Sequence, residues 1–240
     1  MRVILREPTG EDELVAAEGD AVSASRLLDR LITRVNDAAG LVDTTTLSVS
    51  EHDRLLAAVF TRLYGQKAAC QATCANCAES FEFELPLDRV IAEQAAEAAR
   101  WGEPDAEGWW TTEEGVRFRA PTASEALVAD AGSLRTLCLE GTPPDDFELE
   151  TALAAAAPTL SLDISVTCPH CKTEQDARFD IARHLVRSLQ RELPFLLREA
   201  HLIASTYGWT HGEIMALTRN DRRAFANLIA GERDSARRAS

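Results

Sequence analysis

The chain has 240 residues and a formal net charge of −14 at neutral pH, with 39 Asp and Glu against 25 Lys and Arg. This length suits one large domain or two small ones and is sufficient to bury a core. We find no apolar run long enough to span a membrane and no signal-peptide pattern at the N-terminus. The sequence therefore predicts a cytoplasmic protein that makes no membrane contact.

The charge is unevenly distributed along the chain. Residues 181–240 carry ten arginines against six acidic residues, a net charge of +4, which leaves −18 for residues 1–180. Nucleic-acid binding requires a cationic surface that neutralises phosphates. The acidic body therefore disfavours DNA or RNA as a ligand and favours a protein partner.

The first elements are a short strand and three helices. Residues 3–15 are predicted to form a strand, a Pro-Thr-Gly turn and the start of a helix. The helix start is indicated by acidic residues, which suit the first helical turn. A helix is predicted from Ser23 to Asp37, on the basis of one apolar face. A further helix is predicted over residues 48–65, which begin with the capping box Ser48-x-x-Glu51.

Two cysteine pairs lie at the tips of predicted β-hairpins. Residues 74–77 read Cys-Ala-Asn-Cys, and residues 168–171 read Cys-Pro-His-Cys. Apolar and polar residues alternate after the first pair and on both sides of the second, which is the period-two pattern of strands. The leading arm of the first hairpin, residues 66–73, is less regular.

A Cys-x-x-Cys turn directs two thiolates to one ion, and two such turns complete the tetrahedral coordination of a structural zinc. We therefore predict a structural Zn2+ with four ligands: Cys74, Cys77, Cys168 and Cys171. About 90 residues separate the pairs, whereas a compact zinc ribbon has roughly 15–20. A whole subdomain must then lie between the two halves. Two separate thiol pairs, a site that has lost its metal, and a redox pair are the alternatives.

The other two cysteines, Cys70 and Cys138, are not predicted to bind the metal. Cys138 lies in an apolar helical stretch and is interpreted as a small buried hydrophobe. The chain has no His-Glu-x-x-His motif, no phosphate-binding glycine loop and no nucleophile elbow. Four thiolates leave a zinc ion no open position for water. We therefore expect no enzymatic activity.

An earlier segment is repeated between the hairpins. Residues 118–128 match residues 5–15, and both contain an Arg-x-Pro-Thr turn before a helix start. We interpret residues 1–90 and 110–182 as two copies of one α+β unit, each of which supplies half of a split zinc ribbon. Residues 91–109 form a helical and acidic connector in this interpretation.

Residues 183–240 are predicted to be entirely helical. Pro194 lies inside the first helical stretch and predicts a kink or a break there. Capping boxes that begin at Thr210 and Thr218 predict two further helices. The predicted fold class is α+β, with two pseudo-repeated units, short β-hairpins that form a split zinc ribbon, and an all-helical C-terminal region.

Both ends of the chain resemble a known protein family. Residues 5–10 read Leu-Arg-Glu-Pro-Thr-Gly, and residues 199–204 read Glu-Ala-His-Leu-Ile-Ala, followed by Tyr-Gly-Trp at 207–209 and Glu-Ile-Met-Ala-Leu at 213–217. These motifs are similar to those of the baseplate hub assembly chaperone family of T-even-type contractile phages. Relatives of that family occur beside phage-tail-like contractile injection systems in bacterial genomes. The region of the cysteine hairpins matches the family only in outline.

The resemblance implies a non-enzymatic assembly factor, a chaperone or adaptor, for the baseplate or hub of a contractile tail. Its partners would be baseplate and hub proteins, and it would act in the cytoplasm of the producing bacterial cell. Retention in the finished particle and the oligomeric state stay open. No catalytic residue is carried over.

Two other function classes compete with this one. A zinc-ribbon adaptor could bind nucleic acid or a regulatory protein partner. A thiol–disulfide redox protein could use the Cys-x-x-Cys pairs, but it needs thiols of depressed pKa. The acidic residues around Cys77 and the lack of a thioredoxin-like βαβ pattern disfavour that function.

Overall fold

A computed structural model describes residues 3–19, 22–35, 38–39, 43–141, 143–144 and 147–239. The fold combines helices with small antiparallel hairpins and has a helical C-terminal region, as the sequence predicts. No helix in these ranges is long and apolar enough to cross a lipid bilayer.

The elements follow one another in this order. The helices are α1 (Gly10–Ala16), α2 (Ser23–Leu31), α3 (Val49–Tyr64), α4 (Leu87–Ala98), α5 (Ala123–Val128), α6 (Ala131–Cys138), α7 (Leu149–Ala156), α8 (Ile181–Tyr207), α9 (His211–Met215) and α10 (Arg219–Ala239). The strands are β1 (Val3–Leu5), β2 (Ile32–Val35), β3 (Ala38–Ala39), β4 (Lys67–Thr73), β5 (Ser80–Pro86), β6 (Trp109–Thr111), β7 (Arg117–Arg119), β8 (Leu139–Glu140), β9 (Ser161–Thr167) and β10 (Glu174–Asp180). The sheets have the orders β1-β2-β3, β4-β5, β6-β7-β8 and β9-β10, and every pairing is antiparallel.

The chain divides into two compact units. Unit 1 contains Met1–Asp43 and Arg183–Ser240, and unit 2 contains Thr44–Ala182. These boundaries differ from the four segments drawn from the sequence, 1–90, 91–109, 110–182 and 183–240. The difference arises because the N-terminal elements pack with the C-terminal helices: α1 contacts α9, and Thr9 forms a β-bridge with Thr218.

The helix predicted from Ser23 to Asp37 is too long. It ends at Leu31, and the chain continues directly into β2. Val35 pairs with Val3 of β1, and the two β-branched residues of this pair suit a strand. Pairing with a distant segment therefore overrides the helical periodicity, while Asp37 lies outside the described residues.

The other element predictions agree well with the structure. Helix α3 begins after Ser48, and both halves of the predicted capping box form with Glu51. Between α4 and α5 the chain forms a hairpin of β6 and β7. Helix α8 is assigned without a break through Pro194, so the two helical stretches around this proline form one element.

Two matched sequence segments form the same local turn. In unit 1, Arg6 makes two hydrogen bonds to the carboxylate of Asp12, at 2.6 and 2.8 Å. In unit 2, Arg119 makes two to Glu125, at 2.7 and 2.9 Å. Each acidic residue also completes a capping box with the threonine at its helix N-terminus. The Arg-x-Pro-Thr motif thus specifies a turn that is fixed by one ion pair.

Each of these turns also pairs with the N-terminus of a long helix. Thr9 bridges to Thr218, which precedes α10, and Thr122 bridges to Ser48, which precedes α3. In both cases the hydroxyl of the partner residue accepts from the amide of an acidic residue three positions later and donates to its carboxylate: Thr218 does so with Asp221, and Ser48 with Glu51. The repeated turn is therefore used the same way in the two units.

Unit 1 also contains a buried ion cluster that the sequence did not predict. Glu13 accepts hydrogen bonds from Arg219 at 2.6 Å and from Arg222 at 3.2 Å. Arg222 also donates to Glu199 at 2.8 Å, and Arg219 lies 2.7 Å from Glu192. Both arginine side chains are at most 6% exposed. The cluster joins α1, α8 and α10 through charges that compensate one another.

Candidate metal centre

The two cysteine pairs lie on hairpins of the same construction within unit 2. Strands β4 and β5 pair over seven residues up to Thr73 and Ser80, and β9 and β10 pair over seven residues up to Thr167 and Glu174. A helix follows each hairpin directly, α4 after β5 and α8 after β10. Both predicted hairpins are confirmed, including the less regular leading arm of the first.

The turns at the tips of these hairpins have matching backbone hydrogen bonds. The amide of Cys74 donates to the carbonyl of Glu79, and the amide of Cys168 donates to that of Thr173, both at 2.9 Å. A second amide in each turn returns to the carbonyl of the first cysteine at 3.0 Å. These bonds curl each Cys-x-x-Cys segment so that both of its thiols point the same way.

The residue after each second cysteine has a left-handed backbone. Ala78 has φ of 60° and Lys172 has φ of 63°. This conformation costs a residue other than glycine roughly 1–2 kcal/mol. Its presence at the same place in both turns indicates that the turn, with its two thiols, is held against that cost by the surrounding contacts.

The two turns bring four sulfur atoms together. The Sγ atoms of Cys74 and Cys171 are 3.5 Å apart, and those of Cys77 and Cys168 are 3.8 Å apart. All four lie within 4.8 Å of one another. A tetrahedral site with metal–sulfur bonds of about 2.3 Å requires sulfur separations of about 3.8 Å. The four cysteines could therefore hold one metal ion.

The surroundings of the sulfurs are apolar on one side and open on the other. Cys74 and Cys168 are at most 2% exposed, whereas Cys77 and Cys171 are partly exposed. Phe81 completes the buried cluster around them. An ion bound here would be shielded from solvent on its inner side, as in structural sites.

Direct hydrogen bonds between the two hairpins surround the sulfur cluster. Gln175 accepts from the amide of Ala75 at 2.8 Å and donates to the carbonyl of Thr73 at 3.1 Å. Asn76 donates to the hydroxyl of Thr173 at 3.2 Å. These polar residues were not predicted from the sequence, because their role depends on a contact between segments about one hundred positions apart.

The thiols strongly affect one another's ionisation. The hydroxyl of Thr173, 3.3 Å from the sulfur, and other hydrogen bonds lower the pKa of Cys171 to about 5. For Cys77, the amide of Glu79 favours the thiolate, but burial and the neighbouring thiols raise the pKa to about 12. Four sulfurs this close cannot all ionise without a cation among them. A metal ion supplies that charge and deprotonates its thiol ligands.

The remaining cysteines lie elsewhere. Cys70 is on β4, with its sulfur 3.6 Å from the carbonyl oxygen of Ala68, and burial raises its thiol pKa. Cys138 is 1% exposed and packs in a separate cluster with Phe118, which confirms its interpretation as a buried hydrophobe. His170, between the two cysteines of the second pair, is exposed.

Comparisons with known proteins return no relative. No protein-family model, curated protein or solved structure matches the chain. The candidate centre therefore rests on its own geometry.

Proposed function

We propose that the chain is a non-enzymatic assembly factor, a chaperone or adaptor, built around a structural zinc clasp. The proposed zinc clasp is supported by four thiols that lie close to one another, two from each hairpin. With all four bound to one ion, no coordination position is left for water or substrate. Such an ion stabilises a fold and does not take part in a reaction.

The donor set favours zinc as the ion. Four thiolates in tetrahedral arrangement select Zn2+ or iron–sulfur chemistry, whereas calcium and magnesium prefer oxygen ligands. The pairing of Cys-x-x-Cys turns is a common pattern of structural zinc sites. Zinc would replace the repulsion among four thiolates with four metal–ligand bonds.

We further propose that the two hairpins are halves of a split zinc ribbon that arose as pseudo-repeats. Their equal strand lengths, equal turn hydrogen bonds and left-handed residues at equivalent positions support this origin. The matched turns around Arg6 and Arg119 support it as well. The long stretch between the ligand pairs then consists mainly of the connector and most of the second repeat.

The biological setting we propose is the baseplate or hub of a contractile phage tail or a phage-tail-like injection system, with baseplate or hub proteins as partners. The support is the family resemblance at both ends of the sequence. Those ends belong to the same compact unit: residues 5–10 lie in unit 1, as do residues 199–217. Their backbones also pair where Gly10 donates to the carbonyl of Leu217 at 3.1 Å.

Metal content of the purified chain tests the clasp. We expect one zinc per chain in the wild type and none in the Cys168→Ser variant, together with lower stability of unit 2, because zinc binding energy is folding energy. Cys70→Ser is the matched control, since that thiol lies outside the cluster, and it should keep the zinc. Two ions per chain, iron in place of zinc, or no metal would contradict the proposed clasp.

The assembly role has a separate test in the producing cell. We expect deletion of the gene to abolish intact contractile particles, and a plasmid copy to restore them. Electron microscopy of the lysate gives the readout. Normal particles in the deletion strain would refute the assembly role and leave the zinc clasp untouched.

A nucleic-acid adaptor is the alternative function. Unit 2, which holds both hairpins, carries 24 acidic residues against ten basic ones, so its field repels phosphates. Oligonucleotide binding measured across salt concentrations distinguishes the two functions, because phosphate contacts give a steep salt dependence.

A further inference from the structure

The exposed surface of α8 differs from its buried surface in charge. Apolar residues of this helix, including Leu185, Leu189 and Leu196, are buried, so they pack inside the fold and cannot contact a partner. The opposite surface carries a row that we call the basic stripe. It consists of Arg187, Arg191, Phe195 and Arg198, all of which are exposed.

The arginines of the basic stripe lack acidic partners within the described part of the chain. This distinguishes them from Arg222 and Arg223, which pair with glutamates of α8. Phe195 lies among them with 61% of its surface exposed, although a large aromatic side chain normally gains from burial. The stripe therefore combines three unpaired positive charges with an uncovered aromatic ring.

The positive field of the stripe is local. Unit 1 as a whole carries 15 basic and 15 acidic residues, and all of the net charge of −14 belongs to unit 2. Burial lowers the pKa of the neighbouring His184, and the positive charges of Arg191 and Arg187 lower it further. Because solvent screens charges within about 8 Å at physiological salt, only a ligand in close contact with α8 senses this stripe.

We propose that the basic stripe binds an acidic amphipathic helix of a protein partner. Along α8, Arg187 and Arg191 are about 6 Å apart, and Arg191 and Arg198 about 10 Å apart, at 1.5 Å per residue. An antiparallel helix with carboxylates at positions i, i+7 and i+11 matches these distances, and a leucine near i+3 would cover Phe195. Arginine suits such contacts, because its guanidinium binds carboxylates through two parallel hydrogen bonds.

A protein helix fits the charges better than a polyanion does. A nucleic acid or an anionic vesicle extends well beyond the stripe and would also meet the rest of unit 1, where acidic residues balance the basic ones. A short helix presents acidic groups only where the stripe lies and supplies the apolar side chain that Phe195 requires. The inference rests on the proposed role as an assembly factor, for which it specifies the chemistry of the partner.

A designed peptide tests the basic stripe directly. The probe is a fluorescein-labelled helical peptide of alanine and glutamine with glutamates at positions 4, 11 and 15 and leucines at positions 7 and 8. Its isomer has the same composition, with the glutamates moved to the opposite face. Fluorescence anisotropy with the zinc-loaded full chain should show at least about tenfold tighter binding of the probe than of the isomer, since correctly placed charge pairs and the leucine contact add.

Substitutions in the chain form the second part of the peptide-binding experiment. The triple variant Arg187→Glu/Arg191→Glu/Arg198→Glu should weaken probe binding at least about tenfold, and Phe195→Ala about fivefold. The charge-matched control reverses three exposed arginines of unit 2, in Arg54→Glu/Arg89→Glu/Arg135→Glu, and should bind the probe within about twofold of the wild type. Circular dichroism checks that every variant is folded.

Several results would overturn the proposed surface. These are equal binding of the probe and its isomer, unchanged binding by the stripe variant, or tighter binding of a single-stranded oligonucleotide or an anionic vesicle at the same stripe. The peptide assay needs no contractile particle. If the peptide does not bind the stripe but deletion of the gene still abolishes particles, only the partner chemistry is refuted. If the peptide binds but the deletion strain makes normal particles, only the assembly role is refuted.

Discussion

The buried carboxylate of Asp12 offers the sharpest test of how charge contributes to the stability of unit 1. Its side chain is fully buried and accepts hydrogen bonds from Arg6 at 2.6 and 2.8 Å and from Arg30 at 2.7 Å. Thr9 adds a backbone and a hydroxyl donor. Burial acts to raise the carboxyl pKa, but these donors outweigh it and lower the pKa to about 2.

The magnitude follows from the linkage between pKa and folding. The ordinary Asp pKa of 3.8 exceeds the folded value of about 2, and each pKa unit corresponds to about 1.4 kcal/mol. The ionised carboxylate therefore contributes about 2.4 kcal/mol to the free energy of unfolding. Because the folded pKa is depressed, this contribution is present above pH 4 and is lost as the pH falls through 2. At pH 3 about half of it remains.

The perturbation is Asp12→Asn, which keeps the shape and removes the charge. We expect the free energy of unfolding of unit 1 to fall by about 2–3 kcal/mol at pH 7 and by clearly less at pH 3. Urea-dependent amide hydrogen exchange of α1 and α10 reports on this unit alone. The same loss at both pH values, or a loss below about 0.5 kcal/mol at pH 7, would refute an origin in the carboxylate charge.

The matched control is Glu125→Gln in the equivalent turn of unit 2. The hydrogen bond from Arg119 is the main cause that lowers the pKa of Glu125 to about 2. Its side chain is 24% exposed, so solvent screening reduces the expected loss to about 1 kcal/mol. That loss should appear in unit 2 and leave the exchange of α1 unchanged.

Two further predictions concern buried carboxyl groups. Burial raises the pKa of Asp53 to about 6, against the opposing hydrogen bond from the Leu160 amide, so its stabilising neutral form is present below pH 4 and is lost as the pH rises through 6. Asp53→Asn should therefore raise the free energy of unfolding of unit 2 by about 1–3 kcal/mol at pH 8 and not at pH 3.5. Glu13→Gln should lower that of unit 1 by about 3 kcal/mol or more, because it removes the buried carboxylate that Arg219 and Arg222 share. Their buried guanidinium groups then keep only the more exposed carboxylates of α8.

Both predictions have outcomes that would contradict them. A stabilisation by Asp53→Asn that does not change with pH would exclude ionisation as its cause. For Glu13, the comparison is Glu18→Gln, which breaks the exposed ion pair with Arg26 in the same unit and should cost less than about 1 kcal/mol. Similar losses in urea unfolding for Glu13→Gln and Glu18→Gln would show that burial of the cluster adds nothing.

Features encoded by neighbouring residues were predictable from the sequence. The capping box of Ser48 and Glu51, the strands around each cysteine pair and the turns with Arg6 and Arg119 all depend on residues within a few positions of each other. For the cysteines, the turn geometry limits the ligands to two compact pairs. The sequence therefore identified the four thiols that the structure brings together.

Features decided by distant contacts were not predictable in the same way. The end of α2 at Leu31 depends on pairing between β2 and β1, which helical periodicity cannot reveal. The partition into two units depends on the contact of Thr9 with Thr218. The partners of Arg219 and Arg222 in the ion cluster lie on α1 and α8. One feature of the sequence indicated this cluster: arginines occupy positions on the buried face of α10.

The discontinuity of unit 1 has a consequence for the order of events during synthesis. Unit 2 is a continuous stretch, so it can fold and bring its four clustered thiols together as soon as residue 182 has left the ribosome. The N-terminal segment must wait, because the bridge from Thr9 to Thr218 closes over more than two hundred residues. We therefore expect nascent chains to expose β1 and α1 throughout elongation, while the thiols are already sequestered. The proposed metal binding would then precede completion of the helical surface, and a ribosome stalled before α10 would display a finished thiol cluster and an unfinished unit 1.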